Sequence, residues 1–253
     1  MAALRLKPFL DSFISPQQFG FLKNRLIHGP VAITQEVLHS VKLMKKSALI
    51  LKLDLTKAFD RVNWTYIRLL LIQIGVPLVG VNWIMGCISS ANFAVIVNGS
   101  PSSFFSASRG IRQGYPLSLL LFILVIEGLS LLIADAKRNG LIKGIKISEH
   151  LALTHLLFVD DGILFGMGTL EDWIAFKVIL DTFCAASGMK INLDKSSFLH
   201  SDLDDAVLRR ISDIIPYRFA HLNLGFTYLG FFLKPSGYLV KDWCWLISNQ
   251  PLV

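Results

Sequence analysis

The chain has 253 residues, enough to bury a substantial core in one large domain or two small ones, and 25 Lys plus Arg against 18 Asp plus Glu give it a net charge of +7 and a pI near 9.4. That basic balance suits a polyanionic partner, while 53% apolar residues and a mean hydropathy of +0.55 make a membrane segment the first alternative to weigh. Cys87, Cys184 and Cys244 are odd in number and widely spaced, which excludes a disulfide framework or a zinc knuckle and points to a reducing intracellular compartment, nucleus or cytoplasm.

The start carries Arg5 and Lys7 but no apolar run of secretory length, so no signal peptide is expected. Ser15-Pro16 marks a turn. Residues 31–46 predict an amphipathic packing helix with Val31, Val37, Leu38, Val41 and Met44 along one side. Residues 48–55 form the most informative strand. Leu49, Leu51, Leu53 and Leu55 share one parity and predict a core face, whereas Ile50, Lys52 and Asp54 predict the opposite, accessible face. Asp60 has Arg61 beside it for local pairing. Asp54 has no such neighbour.

Residues 64–74 read as a helix stopped by Gly75 and Pro77, and 78–90 as another. Asn98-Gly99-Ser100-Pro101, between residues 93–97 and 104–105, is a hairpin signal. The polar loop Arg109-Gly110-Ile111-Arg112-Gln113-Gly114-Tyr115-Pro116 then feeds an apolar segment, with Pro116 suited to a first helical turn. Such a loop reads either as an ordinary connection or as a holder of phosphate or base. The apolar segment, 117–133, includes Ser118, Glu127, Gly128 and Ser130 and falls short of the ~20 residues that span a bilayer. Glu127 would also be costly in lipid. A buried helix is the expectation; an integral membrane protein organised on 117–133 is the alternative.

Residues 156–165, an apolar run broken by Asp160-Asp161-Gly162, predict a hairpin with two adjacent carboxylates at its tip and Gly162 supplying the turn's permissive backbone. No basic residue adjoins them. They form either a solvated turn or a site for a hard divalent cation, Mg²⁺ or Mn²⁺. A helix at 170–187 ending at Gly188, a strand at 189–193, a polar-faced helix at 202–215 and a strand or tight hairpin at 226–233 complete the chain. The order implies an α+β fold, an antiparallel sheet with helices packed on one face. If the first strand and the acidic hairpin are neighbours, Asp54, Asp160 and Asp161 meet at one sheet edge. Such a carboxylate cluster is the protein half of a two-metal phosphoryl-transfer site.

Five segments then resemble, in order, those of the reverse transcriptases of non-LTR (LINE-type) retrotransposons. Leu53-Asp54-Leu55-Thr56-Lys57-Ala58-Phe59-Asp60-Arg61-Val62 is similar to motif A, and residues 109–118 to motif B. Phe158-Val159-Asp160-Asp161 is similar to motif C, residues 187–196 to motif D, and Tyr228-Leu229-Gly230 to motif E. The resemblance implies a right-hand polymerase palm at 48–233, partial fingers at 1–47 and the truncated start of a thumb or connection at 234–253. It implies an RNA-directed DNA polymerase taking an RNA template, a DNA primer and dNTPs, with no membrane partner.

By the same resemblance Asp54, Asp160 and Asp161 would hold two Mg²⁺ or Mn²⁺ ions, with the Leu55 carbonyl as a further ligand. Phe59 would exclude a ribose 2′-hydroxyl, and Arg112, Gln113 and Gly114 would line the nucleotide and template. Lys195 would be the proton donor to pyrophosphate. Tyr228, Leu229 and Gly230 would grip the primer. Each has a structural alternative: Phe59 in the core, Lys195 as surface charge, Tyr228 as sheet packing. Asn24-Arg25 stands where a Gly-Arg pair is usual, leaving Arg25 as a phosphate-binding candidate, and Leu119 replaces a usual proline. An endonuclease and the full fingers and thumb are expected to belong to a longer polyprotein, of which this chain is a fragment. A catalytically inactive, nucleic-acid-binding relic of the same fold is the remaining alternative.

Overall fold

The computed structural model describes residues 2–149 and 151–243. Cys244 and the rest of the expected thumb start, 244–253, lie outside the described residues. In chain order the elements are α1 (Ala2–Leu10), α2 (His28–Leu43), β1 (Ala48–Leu53), α3 (Ala58–Arg61), α4 (Trp64–Gln73) and α5 (Leu78–Ser89). A short two-tier ribbon follows: β2 (Asn92–Phe93), β3 (Ile96–Val97), β4 (Ser100–Pro101) and β5 (Phe105–Ser106). Then come α6 (Pro116–Arg138), β6 (Ile145–Lys146), β7 (Ala152–Leu153), β8 (His155–Phe158), β9 (Asp161–Met167) and α7 (Leu170–Ser187). The described chain closes with β10 (Ser197–Ser201), α8 (Asp205–Ile214), β11 (Arg218–His221), β12 (Phe226–Tyr228) and β13 (Phe231–Leu233).

One five-stranded sheet, ordered β11-β10-β1-β9-β8, carries the site. The chain adopts an α+β fold, and the sheet is mixed, because β10 and β11 run parallel while the other pairs are antiparallel. The expectation of helices on one face is corrected. Leu49, Leu51 and Leu53 of β1 face a large core shared with α6 and α7, while Ile50 is fully buried on the other side. There Val37, Leu38 and Val41 of α2 and Tyr228 and Leu233 of the β12–β13 hairpin pack against the sheet. The alternation rule assigned Ile50 to an accessible face because a half-covered antiparallel sheet is the simplest solution. A second covering layer changes that. Only toward the end of β1 do Lys52 and Asp54 come partly out from under cover.

Two strands escaped the sequence reading. Ser197–Ser201 and Arg218–His221 alternate too weakly to advertise themselves, yet β10 lies directly beside β1. The strand expected at 189–193 reduces to a single bridge, Leu55 to Ile191. The helical opening, α1, was also missed; it carries Pro8 inside.

Helix α6 is longer than expected, 23 residues, and so reaches spanning length. Its apolarity is nonetheless used inside the protein: residues 120–130 are all buried. Glu127 sits among them and accepts hydrogen bonds from the Ser15 N–H and hydroxyl, each at 3.1 Å. An acid that looked out of place in an apolar helix thus anchors the N-terminal segment.

Candidate active site

The first functional strand ends at Leu53, which pairs with Gly162 across the β1–β9 ladder. One further step sets Asp54 against Asp161. Across the hairpin Phe158 pairs with Asp161, so Val159 and Asp160 form a two-residue turn. Register alone therefore brings Asp54, Asp160 and Asp161 to one edge of the sheet. The turn residue with positive φ is Val159 (+57°), not Gly162 as expected. Gly162 serves close packing instead: a Cβ there would lie 3.3 Å from a Leu157 methyl and 3.4 Å from the Leu53 Cβ.

The segment 54–63 is clasped from two sides. From 187–196, the Lys190 carbonyl accepts from Thr56 N–H (2.8 Å), the Ser187 carbonyl from Asn63 N–H (2.8 Å), and Ser196 Oγ from Asp54 N–H (3.0 Å). From the 109–111 loop, Gly110 N–H donates to the Val62 carbonyl and Ile111 N–H to the Phe59 carbonyl, each at 2.8 Å. Trp64 Nε1 closes the clasp on the Gly110 carbonyl at 2.6 Å. Four of the five segments singled out in the sequence are thereby fastened around one strand end.

A cavity of about 800 Å³ opens there. Its walls include Leu55, Phe59, Asp60, Gln113, Gly114, Tyr115, Asp160, Asp161 and Leu229. That volume lies within the range of small-molecule sites. Asp54 is not a wall residue; strand register sets it next to Asp161. A second cavity of about 450 Å³ shares Asp60, Gln113 and Tyr115 with the first and adds Arg109, Arg112, Phe93 and Phe105. Arg112 thus lies in the adjoining space rather than the main one, its guanidinium 5.4 Å from the Tyr115 ring centre.

The acids are electrostatically uncomfortable. Although Asp160 is exposed at its outer side, the surrounding walls desolvate its carboxyl and raise its pKa, and the charge of Asp54 adds to the effect. Asp161 is raised by desolvation first and by Asp160 second, while Lys52 and Lys195 pull it back down. The exposed Lys195 is therefore close enough for its charge to be felt at the site. Lys52 donates to the Thr227 carbonyl at 2.9 Å and so ties the β12–β13 hairpin to β1. Among the described residues, no group of three or more His, Cys, Asp or Glu side chains is placed to hold a metal ion by itself. Mg²⁺ seldom uses one; it takes one or two carboxylates, water and substrate phosphates. Crowded, partly desolvated carboxylates beside an open cavity fit that mode of binding.

Phe59 faces two ways. Its ring stacks on Phe122 (centroids 4.3 Å apart, 11° between planes), and it also lines the cavity. Tyr228 does not present its ring to a primer: it is 1% exposed, in the second core. The tip of its hairpin, Leu229 and Gly230, both at positive φ, is what approaches the cavity, through Leu229. Arg25 is likewise corrected. Its guanidinium donates to the carbonyls of Ile14, Ser15 and Gln18, so it fastens the loop before it and is not turned to a phosphate.

Sequence reasoning missed Gln18 and Gly20, which buttress the site. No periodicity or charge marks them; only their long-range contacts do.

A family model described as reverse transcriptase (RNA-dependent DNA polymerase) matches residues 1–233. The "Transposon TX1 uncharacterized 149 kDa protein" of Xenopus laevis is 31% identical over 95% of this chain and 18% of its own length. The "Retrovirus-related Pol polyprotein from type-2 retrotransposable element R2DM" of Drosophila melanogaster is 31% identical over 71% of this chain and 16% of its own length. The chain therefore spans under a fifth of the length of these two curated relatives. Among solved structures, telomerase from Candida albicans, in complex with a fragment of telomeric RNA, superposes with a TM-score of 0.57 at 11% identity, over 92% of this chain and 35% of that one. Apo telomerase from Candida tropicalis gives 0.56 at 14% identity, over 92% and 38%. With the polymerase fold in common and the match running through every segment that builds the acidic edge, this chain belongs to the reverse transcriptase (RNA-dependent DNA polymerase) family, in the branch carried by non-LTR retrotransposons.

Proposed function

We propose that this chain is the palm, residues 48–233, with part of the fingers, residues 1–47, of an RNA-directed DNA polymerase that adds dNTPs to a DNA primer on an RNA template. The observation that carries this reading is the convergence of Asp54, Asp160 and Asp161 by strand register beside a cavity of about 800 Å³. Reverse transcriptases generally use divalent metal ions; two Mg²⁺ or Mn²⁺ held here would supply positive charge to offset that of the phosphates. Asp54 and Asp160 would anchor them, with help from Asp161 and the Leu55 carbonyl. In nucleotide addition the primer 3′-hydroxyl loses its proton to water and its oxygen attacks the α-phosphorus in line, one P–O bond forming as the bond to pyrophosphate breaks.

The chain's other groups position and exclude. Gln113 and Gly114 border the nucleotide, and Phe59, braced by Phe122, sets the floor under the sugar. Lys195, whose charge is felt at Asp161, would give a proton to the leaving pyrophosphate. The Leu229–Gly230 tip would meet the primer end. Flanking segments of a longer protein would hold the triphosphate and the duplex, and alignment of that kind is worth ~7–11 kcal/mol when complete.

The test is primer extension on primed RNA with dNTPs and Mg²⁺ or Mn²⁺, by residues 1–253 alone and by the same chain joined to its flanking segments. The chain alone should bind primed RNA weakly, with steep salt dependence, and extend it little. The longer protein should extend it. Binding without extension by the longer protein would favour the inactive relic instead.

A further inference from the structure

The acidic hairpin turns on a residue ill suited to the task. Val159 is β-branched, and at φ +57° its backbone is in the left-handed conformation, which such residues rarely adopt. A strained turn of this kind persists only where its surroundings force it, and such strain gathers at functional sites. The surroundings in question are the loop at 17–20. Gln17 and Phe19 pair with β8 through Leu157, N–H to carbonyl at 2.9 Å one way and 2.8 Å the other. That pairing inserts the fully buried Gln18 side chain beneath the turn, where its Oε1 accepts from Val159 N–H at 3.2 Å and from Gly20 N–H at 3.0 Å. Exchanging the amide's O and N would oppose two donors to two donors, so the chemistry fixes its orientation. Its Nε2 is buried without a partner, which disfavours Gln18 for stability alone.

Gly20 completes the grip. A Cβ at that position would lie 2.5 Å from a Val159 methyl and 2.8 Å from the Val159 nitrogen. The loop therefore fits closely against Val159 and leaves no room for the turn to relax toward it.

We propose that Gln18 is a positioning residue for the acidic hairpin: its buried amide oxygen, with Gly20 packed alongside, holds Val159 in the left-handed conformation that sets Asp160 and Asp161 opposite Asp54. The proposal rests on the reading of those aspartates as metal-binding acids. Gln18 touches neither substrate nor metal. If its acceptor is lost, the Val159 amide is released, the turn opens toward extended backbone, and the Asp160 carboxylate swings out of register with Asp54.

Gln18→Met keeps the side chain's volume and removes the strong acceptor. Two readouts on the full chain of residues 1–253 are needed, because one depends on the metal reading and the other does not. In hydrogen exchange, the segment 156–163 should lose protection about tenfold, the scale of one hydrogen bond, while α7 exchanges as before and reports an intact fold. In Mn²⁺ titration followed by the signal of the free ion, the same variant should bind about tenfold more weakly. Val159→Gly, which allows positive φ without steric cost, should restore Mn²⁺ binding in the Gln18→Met background, because the turn no longer has to be forced. A variant folded as the wild type, with unchanged exchange at 156–163, overturns the clamp. A double variant that stays as weak as Gln18→Met overturns the strain argument within it. If the wild-type chain binds no Mn²⁺ yet its hairpin exchange responds to Gln18→Met, the metal reading fails and the clamp stands.

Discussion

Two parts of the molecule withdraw acids from bulk water, and they treat them in opposite ways. Glu127, inside α6, is 2% exposed and receives the N–H and the hydroxyl of Ser15, with Arg25 near enough to be felt. Asp160 and Asp161, at the hairpin tip, are desolvated beside each other and beside Asp54. At Glu127 the fold brings donors to the acid; at the tip it brings acid to acid. The first arrangement holds a structure together. The second has a use only if positive charge arrives from elsewhere, which is why crowded, perturbed carboxylates in a cavity mark a site more reliably than a buried acid does.

The sharpest way to break that comparison is to neutralise one acid of the pair. Asp160→Asn is expected to cut metal-dependent nucleotide incorporation at least ~10²-fold, the scale of losing one preorganised electrostatic group. Its stability to urea should not fall, because a like-charge repulsion is removed with the charge. Near wild-type incorporation by a well-folded variant would take Asp160 out of the mechanism.

Titration separates the two regions next. Burial raises Glu127 from 4.5 to about 7, against the weaker pull of the Ser15 hydrogen bonds. Between those values the folded chain keeps a proton that the unfolded chain has released, so this group's contribution falls as pH rises from 4.5 through 7. At about 1.4 kcal/mol per pH unit the change comes to about 3 kcal/mol across that window. His155, which meets Ser130 at 2.7 Å, is lowered by burial and by Lys137 from 6.5 to about 3. Its contribution has the opposite sign and is lost as pH falls below 6.5. The two offset each other between 4.5 and 6.5. Subtracting the unfolding free energies of Glu127→Gln from those of the wild type at each pH isolates the Glu127 slope, and a flat difference would mean that Glu127 titrates as an exposed acid does.

The acidic edge was legible because its parts are local: an alternating strand ending in Asp54, an Asp-Asp break between apolar runs, and loops with recognisable order. What failed to show in the sequence was each feature that depends on a second layer. Ile50 looks accessible until α2 and the β12–β13 hairpin cover it. Tyr228 looks available to a primer until the same covering buries it. Gly162 looks like the turn residue, although the turn is imposed on Val159 by a loop more than a hundred positions upstream. Arg25 looks like a free cation until three carbonyls occupy it. Strand periodicity records what faces a sheet, not what later comes to lie on it.

A smaller effect is expected at the cavity wall. Phe59→Ala removes a ring stacked on Phe122, which should cost about 0.5–1.5 kcal/mol beyond the lost burial and also open the floor under the sugar. The ratio of ribonucleotide to deoxyribonucleotide incorporation efficiency should rise in a variant that remains folded. An unchanged ratio would leave Phe59 with its packing role alone.

The smallest effect should come from a group that belongs to neither side of the comparison. The Tyr228 hydroxyl is buried, has no hydrogen-bond partner, and sits near enough to Asp161 for that charge to disfavour its ionisation, after burial itself. It is withdrawn from water like Glu127 but given no donor or acceptor, and it lies near the acids without reaching the cavity. A buried, unsatisfied hydroxyl costs about 1–3 kcal/mol, and Tyr228→Phe removes it while keeping the ring that packs against the sheet. Part of that cost is already relieved wherever the unfolded chain stays compact, so the expected gain in unfolding free energy is about 1 kcal/mol or less. Primer extension should stay within about twofold, since a change below 0.5 kcal/mol at the tip moves a rate no further. A tenfold loss of extension with stability unchanged would show that the hydroxyl reaches Asp161 or the primer during the reaction, and would move Tyr228 from the covering layer into the site.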